Sequence, residues 1–121
     1  MPRRFCSPAP GDRILILRRP WLDMVLSGEK TMEIRNRSSG GGRTYHLGCG
    51  GHIHGSAVVS RVVAVESVTQ WRALLPQHRW DLAELPYKRT FAHSLTLVAK
   101  AAVPVPYRHP RGAIGLVRYR V

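Results

Sequence analysis

The sequence predicts a mixed α+β domain that is mostly β, a small, partly closed barrel of about six strands with two or three short helices between them. Three observations lead there. The 121 residues suit one hydrophobic core rather than two, at an ordinary apolar content of 44%. The apolar runs are short and bounded by Gly, Pro, Asn or Ser, as strands are, and none approaches the ~20 residues of a membrane helix. Helical spacing is confined to brief stretches. No repeat and no internal linker divides the chain, so residues 13–121 read as one domain behind a lead-in at residues 1–12.

The lead-in, "MPRRFCSPAPGD", lacks the apolar segment of a secretory signal, and its three prolines spoil an amphipathic transit helix. It is expected to be flexible unless it packs back on the body. "RILILR" (residues 13–18), bounded by Gly11 and Pro20, reads as a buried strand. Pro20 suits the first turn of a helix and Gly28 its C-terminal cap, with Trp21, Leu22, Val25 and Leu26 at core-facing spacing. "TMEIR" alternates, Met32 and Ile34 on one face against Thr31, Glu33 and Arg35 on the other, which is the period of a half-buried strand. "NRSSGGG" is a turn or mobile loop. "RTYHLG" and "GSAVVSRVVAVESV" read as strands, the second long enough to bend. In "TQWRALL", Thr69 is the expected cap of a short helix carrying Trp71, Leu74 and Leu75 on one face. Another short helix is expected to start at Asp81 and stop before Pro86. "RTFAHSLTLVAKAAVPV" begins as a strand and ends at proline, "HPRG" turns, and "AIGLVRYRV" supplies the last strand.

Nineteen basic residues, sixteen of them arginine, oppose seven acidic ones, for a net charge of +12. Such an excess attracts polyanions by counterion release, and arginine adds bidentate phosphate contacts and stacking on bases. The bland alternative is a bias towards arginine that merely keeps the protein soluble. No stretch combines a basic helical face with an apolar one, so a membrane partner is not expected. Cys6 and Cys49 are too few for a disulfide framework and fit a reducing cytoplasm.

The order apolar strand, "RRPW", short helix, "SGEKTMEIR" and Gly-rich loop resembles the ASCH family, a branch of the PUA-like barrels. The family's G-x-K-T-x-E-x-R pattern stands here as Gly28, Lys30, Thr31, Glu33 and Arg35, and "GRTYHLG", "GSAVVSRVVAVESV" and "HPRGAIGLVRY" are similar to its later strands. The resemblance spans residues 13–121, with its specific part at residues 20–35. It implies a barrel whose central cleft, lined by the Lys-Thr-Glu-Arg strand, holds RNA, modified nucleosides or related ligands. Relatives include binding modules, a ribonuclease and an amidohydrolase acting on acetylated cytidine, so the fold does not settle the activity.

Read without the family, Arg35 can hold phosphate or carboxylate, and Glu33 can orient Lys30 or accept a proton from a base amino group. The plain alternative is a solvated strand face with cross-strand ion pairs. As an enzyme, the cluster would use Lys30 as base or charge stabiliser with Glu33, provided burial lowered the lysine pKa. The resemblance places the amidohydrolases' threonine nucleophile at the position that here is Glu33, so their mechanism does not transfer intact. Thr31 is a substitute hydroxyl, and Asp81 or Glu84 falls where those relatives carry a further carboxylate. Arg37, Tyr87 and His93 are further candidates for ligand contact. Tyr107 and His109 offer similar chemistry, although packing explains each alone. "HLGCGGHIH" gathers His46, Cys49, His52 and His54, a zinc-like set without a second knuckle; neither a metal nor a cofactor is expected.

The leading expectation is therefore a cytoplasmic, monomeric protein that binds RNA or a nucleotide-like ligand in a basic cleft. A ribonuclease or an amidohydrolase on the same scaffold is the enzyme alternative. A module that recruits an acidic protein partner in a transcription or RNA-processing assembly is the third.

Overall fold

The computed structural model describes residues 4–120; the first three residues of the lead-in, together with Val121, lie outside them. Gly11, at φ +87°, turns the chain into β1 (Arg13–Ile16). Pro20 is the N-cap of α1 (Trp21–Leu26), which buries Leu22 and Val25, and Gly28 at φ +83° leads the chain away from it. There follow β2 (Met32–Arg35), β3 (Arg43–Cys49) and β4 (His52–Val65), the last two joined at Gly50 and Gly51, both with positive φ. Then come α2 (Val68–Ala73), α3 (Leu75–His78), β5 (Thr90–Pro106) and β6 (Leu116–Arg118).

The six strands form one mixed sheet in the order β2-β5-β4-β3-β1-β6, with β1 and β3 parallel and every other pair antiparallel. The β4–β5 ladder is interrupted at Ile53/Gly55, Ser56/Ala57 and Val59/Arg61. Such bulges increase twist and bend a strand, which is how two long strands curl into a barrel wall. The sheet does not close, and β2 and β6 remain its edges. A side chain spans the gap instead: Arg35, on β2, donates to the carbonyl of Ile16 at the end of β1, and its Nη1 lies 3.6 Å from where a Cβ on Gly115 would stand.

Three apolar clusters hold this arrangement. Leu15, Leu17, Tyr45, Leu47, Ala57, Val59 and Leu95 pack together with Leu22 and Val25 of α1. Met32, Ile34, Val65 and Ala92 pack with Trp71 of α2. Ile14, Ile53, Tyr107 and Val117 lie on the other face of β1, with Phe5 packed against them. The described part of the lead-in is thus anchored, and the Gly11 amide also donates to the Tyr119 carbonyl at 3.0 Å.

Two local expectations are corrected. The cap of α2 is Ser67, whose hydroxyl accepts the Gln70 amide at 3.1 Å, rather than Thr69. The helix then breaks at Leu74, and a separate turn, α3, starts with Pro76 in its first turn. Residues 81–86 are not helical. A helix stopping before Pro86 would be a single turn, too short to hold alone, and the Leu82 carbonyl finds no N–H at Pro86 to lengthen it. That carbonyl instead accepts the Trp71 indole and Arg72, both at 3.1 Å.

Candidate ligand site

Lys30 follows the end of α1, and its amide donates to Met24 at 2.9 Å, which turns the side chain inward. It is 3% exposed. The ammonium donates to the carbonyl of His78, the last residue of α3, and lies 4.9 Å from the Trp21 ring centre. Glu33, 8% exposed, stands between two cations: Oε1 is 4.0 Å from Lys30 Nζ, and Oε2 is 3.3 Å from Arg35 Nε. The Arg35 N–H is not aimed along that line, so the contact is an ion pair rather than a hydrogen bond.

The half-buried strand expected at β2 is buried on both faces at Met32, Glu33 and Ile34. The physical reason is β2's place in the molecule. Met32 and Ile34 join the Trp71 cluster, while Glu33 faces His93 across the β2–β5 ladder. His93 is 1% exposed; its Nε2 accepts the Ser39 amide at 3.2 Å, and its Nδ1 has no hydrogen-bond partner among the described residues.

Burial drives the electrostatics of this group. Desolvation holds Lys30 down at about 8, with Glu33 acting in the opposite direction. Desolvation also pushes the Glu33 carboxyl up, against the pull of Arg35 and then Lys30. His93 is lowered by burial, with the Glu33 carbonyl opposing and Arg35 reinforcing the shift. A neutral His93 that accepts at Nε2 carries its proton on Nδ1, an assignment that follows from its hydrogen bond. The site thus combines an ammonium that titrates near pH 8, a carboxylate and an imidazole N–H that meets no acceptor in good hydrogen-bond geometry among the described residues. Trp80 lies 5.9 Å from Trp21 and 6.1 Å from Tyr87, so half-buried rings lead outward from the Lys30 end to Tyr87, which is 38% exposed.

The remaining candidates lie elsewhere. Thr31 is exposed at its side chain, and its backbone is tied to Gln77 and Leu95 at 2.9 and 2.8 Å. Arg37 is exposed in the loop after β2. Asp81 pairs with Arg72 at 2.5 Å, and Glu84 is exposed; no hydrogen bond or ion pair joins either to Lys30 among the described residues. In the His/Cys stretch, His46 bonds Asp12 at 2.9 Å, while His52 and His54 face the carbonyls of Gly50 and Cys49. No group of three or more His, Cys, Asp or Glu side chains that could hold a metal ion occurs among the described residues. His109 accepts the Tyr107 hydroxyl at 2.8 Å, a local tie. A shallow cavity of about 180 Å³ is lined by Gly11, Asp12, Arg13, Thr44 and His46, and none of the Lys30 group borders it.

His78 and Ser39 were not legible as site residues. Nothing local marks a helix-end carbonyl as the seat of a distant lysine, or a loop amide as a histidine's partner.

A mixed six-stranded sheet, curled but unclosed around a buried Lys-Glu-Arg-His group, defines a small barrel-like domain with a polar interior. Its fold is that of ASCH domains. The chain resembles three crystal structures of ASCH from Zymomonas mobilis, all at 15% identity. One mutant form matches at a TM-score of 0.70 over 94% of this chain and 92% of that one. The structure of ASCH itself matches at 0.71 over 91% and 88%, and a second mutant form at 0.71 over 91% of each. No family model matches the chain, and no curated protein matches its sequence.

Proposed function

We propose that this protein binds single-stranded RNA or a nucleotide-like ligand at the Lys30–Glu33–Arg35–His93 group. The observation that carries the reading is a lysine and a glutamate held almost fully inside a small β domain, beside aromatic rings that reach the surface. A buried ion pair is a poor way to stabilise a fold, and perturbed groups of this kind gather at functional sites. The +12 charge supports a polyanionic partner, and the rings offer stacking surface for bases. No helix is long and apolar enough to cross a membrane among the described residues.

Titration with a short single-stranded RNA tests the reading. Affinity should fall steeply with salt, with a log–log slope of about −0.7 per phosphate contact. Lys30→Ala and Arg35→Ala should each weaken binding by about tenfold or more, since charge-assisted bonds away from water are worth about 1.5–3 kcal/mol. Arg72→Ala, on the surface and already paired with Asp81, should cost less than about threefold because its field is screened. Arg35 also spans the seam of the sheet, so melting curves must show that its variant stays folded. Glu33→Ala divides two roles: equal or tighter binding makes Glu33 a partner of Arg35, whereas weaker selectivity makes it a reader of the base. Equal losses for Lys30, Arg35 and Arg72 would remove the site from this group.

A hydrolytic role on the same scaffold is the second reading, favoured by the Lys30 pKa of about 8. An amine that can release its proton near neutrality can act as a general base. Release of cleaved RNA, or of acetate from acetylated cytidine, that disappears in Lys30→Met would establish it.

A further inference from the structure

We propose that residues 36–42, with Arg37, Arg43 and Arg61, form a phosphate-gripping rim beside the inner group, so that its ligand is a nucleotide within single-stranded RNA rather than a free nucleoside. The proposal rests on the binding reading above and adds residues which that reading does not use.

The topology gathers these positions. β2 ends at Arg35 and is antiparallel in sense to β3, which begins at Arg43, so the loop joining them lies at one end of the sheet. Arg43 is opposite Val59 on β4, and Arg61 follows across the bulge between Val59 and Arg61. The loop is fixed at three points. Gly42 donates to the Val59 carbonyl at 2.6 Å, and Ser39 donates to His93 Nε2 at 3.2 Å. Gly41 presses on β4 so closely that a Cβ there would stand 3.0 Å from the Ser60 carbonyl oxygen and 3.1 Å from the Arg61 Cα. Glycine is the residue that permits this approach. The loop therefore joins the outer arginines to a buried histidine whose Nδ1 has no hydrogen-bond partner among the described residues.

Arg19, Arg35, Arg72 and Arg79 meet Asp23, Glu33, Asp81 and Glu29, respectively. Arg37, Arg43 and Arg61 are exposed and have no ion-pair partner among the described residues. Unpaired charge is not peculiar to this rim, since Arg18, Arg89, Arg108 and Arg111 are also exposed without an ion-pair partner among the described residues. What sets the rim apart is its loop, which ties exposed arginines to the inner group. Unpaired guanidinium groups around an ordered loop suit a phosphodiester, which accepts their forked hydrogen bonds; a nucleoside offers no anion to hold. An acidic peptide would meet the same charge, but it carries no bases to stack on the rings at the Lys30 end of the inner group.

The test compares uridine with a five-nucleotide oligouridylate, each titrated into the full chain at low and physiological salt. Arg43→Ala and Arg61→Ala should weaken oligonucleotide binding and flatten its salt slope by about 0.7 each, leaving uridine binding unchanged. Arg43→Lys keeps the charge and should restore the slope more than the affinity. Lys100→Ala is the control: Lys100 pairs with Gly55, which faces Leu47 at the far end of the β3–β4 ladder. If the oligonucleotide binds and the rim variants behave like Lys100→Ala, the rim is wrong and the inner site stands. Uridine bound as tightly as the oligonucleotide overturns the phosphate preference. If neither probe binds the wild type, the binding reading fails and the rim fails with it. Competition by poly-glutamate equal to that by the oligonucleotide would assign the rim to an acidic protein instead.

Discussion

A Lys30→Met variant should lose a rise in stability that the wild-type protein shows between about pH 8 and pH 10.5. In the folded chain, burial makes Lys30 release its proton near pH 8, whereas the unfolded chain holds it to about 10.5. Within that window the unfolded state binds more protons, so raising the pH favours the folded state. The gap of about 2.5 pH units, 10.5 less 8, corresponds to roughly 3 kcal/mol. Below pH 8 the buried ammonium opposes folding in full; above 10.5 it opposes folding no longer. Methionine fills similar space and has no proton to release. Urea unfolding of both proteins at several pH values isolates the effect, because tyrosine ionisation is common to the two. Parallel curves would mean that Lys30 is solvated in the folded protein and that the site lacks its perturbed amine.

Trp71→Ala should destabilise the protein by about 3–5 kcal/mol, a large share of the roughly 5–15 kcal/mol that holds a domain of this size. Trp71 is fully buried, stacked on His78 with centroids 3.8 Å apart, and its indole N–H donates to Leu82 at 3.1 Å. Its loss leaves a cavity and an unsupported His78, and takes one of two donors from the Leu82 carbonyl, which Arg72 still meets. The His78 carbonyl seats Lys30, so the damage should reach ligand binding through that contact. Val68→Ala, on the exposed side of the same helix, should shift stability by less than about 0.5 kcal/mol. A Trp71 loss below about 1.5 kcal/mol would place the tryptophan outside the core that supports the site.

Much of this molecule was legible residue by residue. Alternation in "TMEIR" marked β2, Pro20 and Gly28 bracketed α1, and the short apolar runs yielded all six strands. The "PW…GEKTMEIR" pattern pointed to the ASCH fold, which the solved structures match. Lys30, Glu33 and Arg35 were picked out by residue type and spacing, and they lie together. The misreadings were also local in origin. Thr69 and Ser67 are both plausible caps, and only the hydrogen bond to Gln70 separates them. Residues 81–86 lack a helix because a single turn before Pro86 is too short to hold alone, and the Leu82 carbonyl is taken by Trp71, far back in the chain.

The sequence by itself determined the periods, the turns and the excess of arginine, because these depend on neighbours a few residues apart. The tertiary structure decided which faces meet water. Glu33 alternates like a solvent-facing strand residue, yet β5 and the curled sheet bury it opposite His93. Likewise, Arg35 reads as a wholly free cation, yet the unclosed edges of the sheet bring its Nη2 to the Ile16 carbonyl. Lys30 acquires its lowered pKa from the desolvation imposed by the elements that close around it, against the pull of Glu33. Periodicity is a property of a segment; desolvation is a property of everything that closes around it.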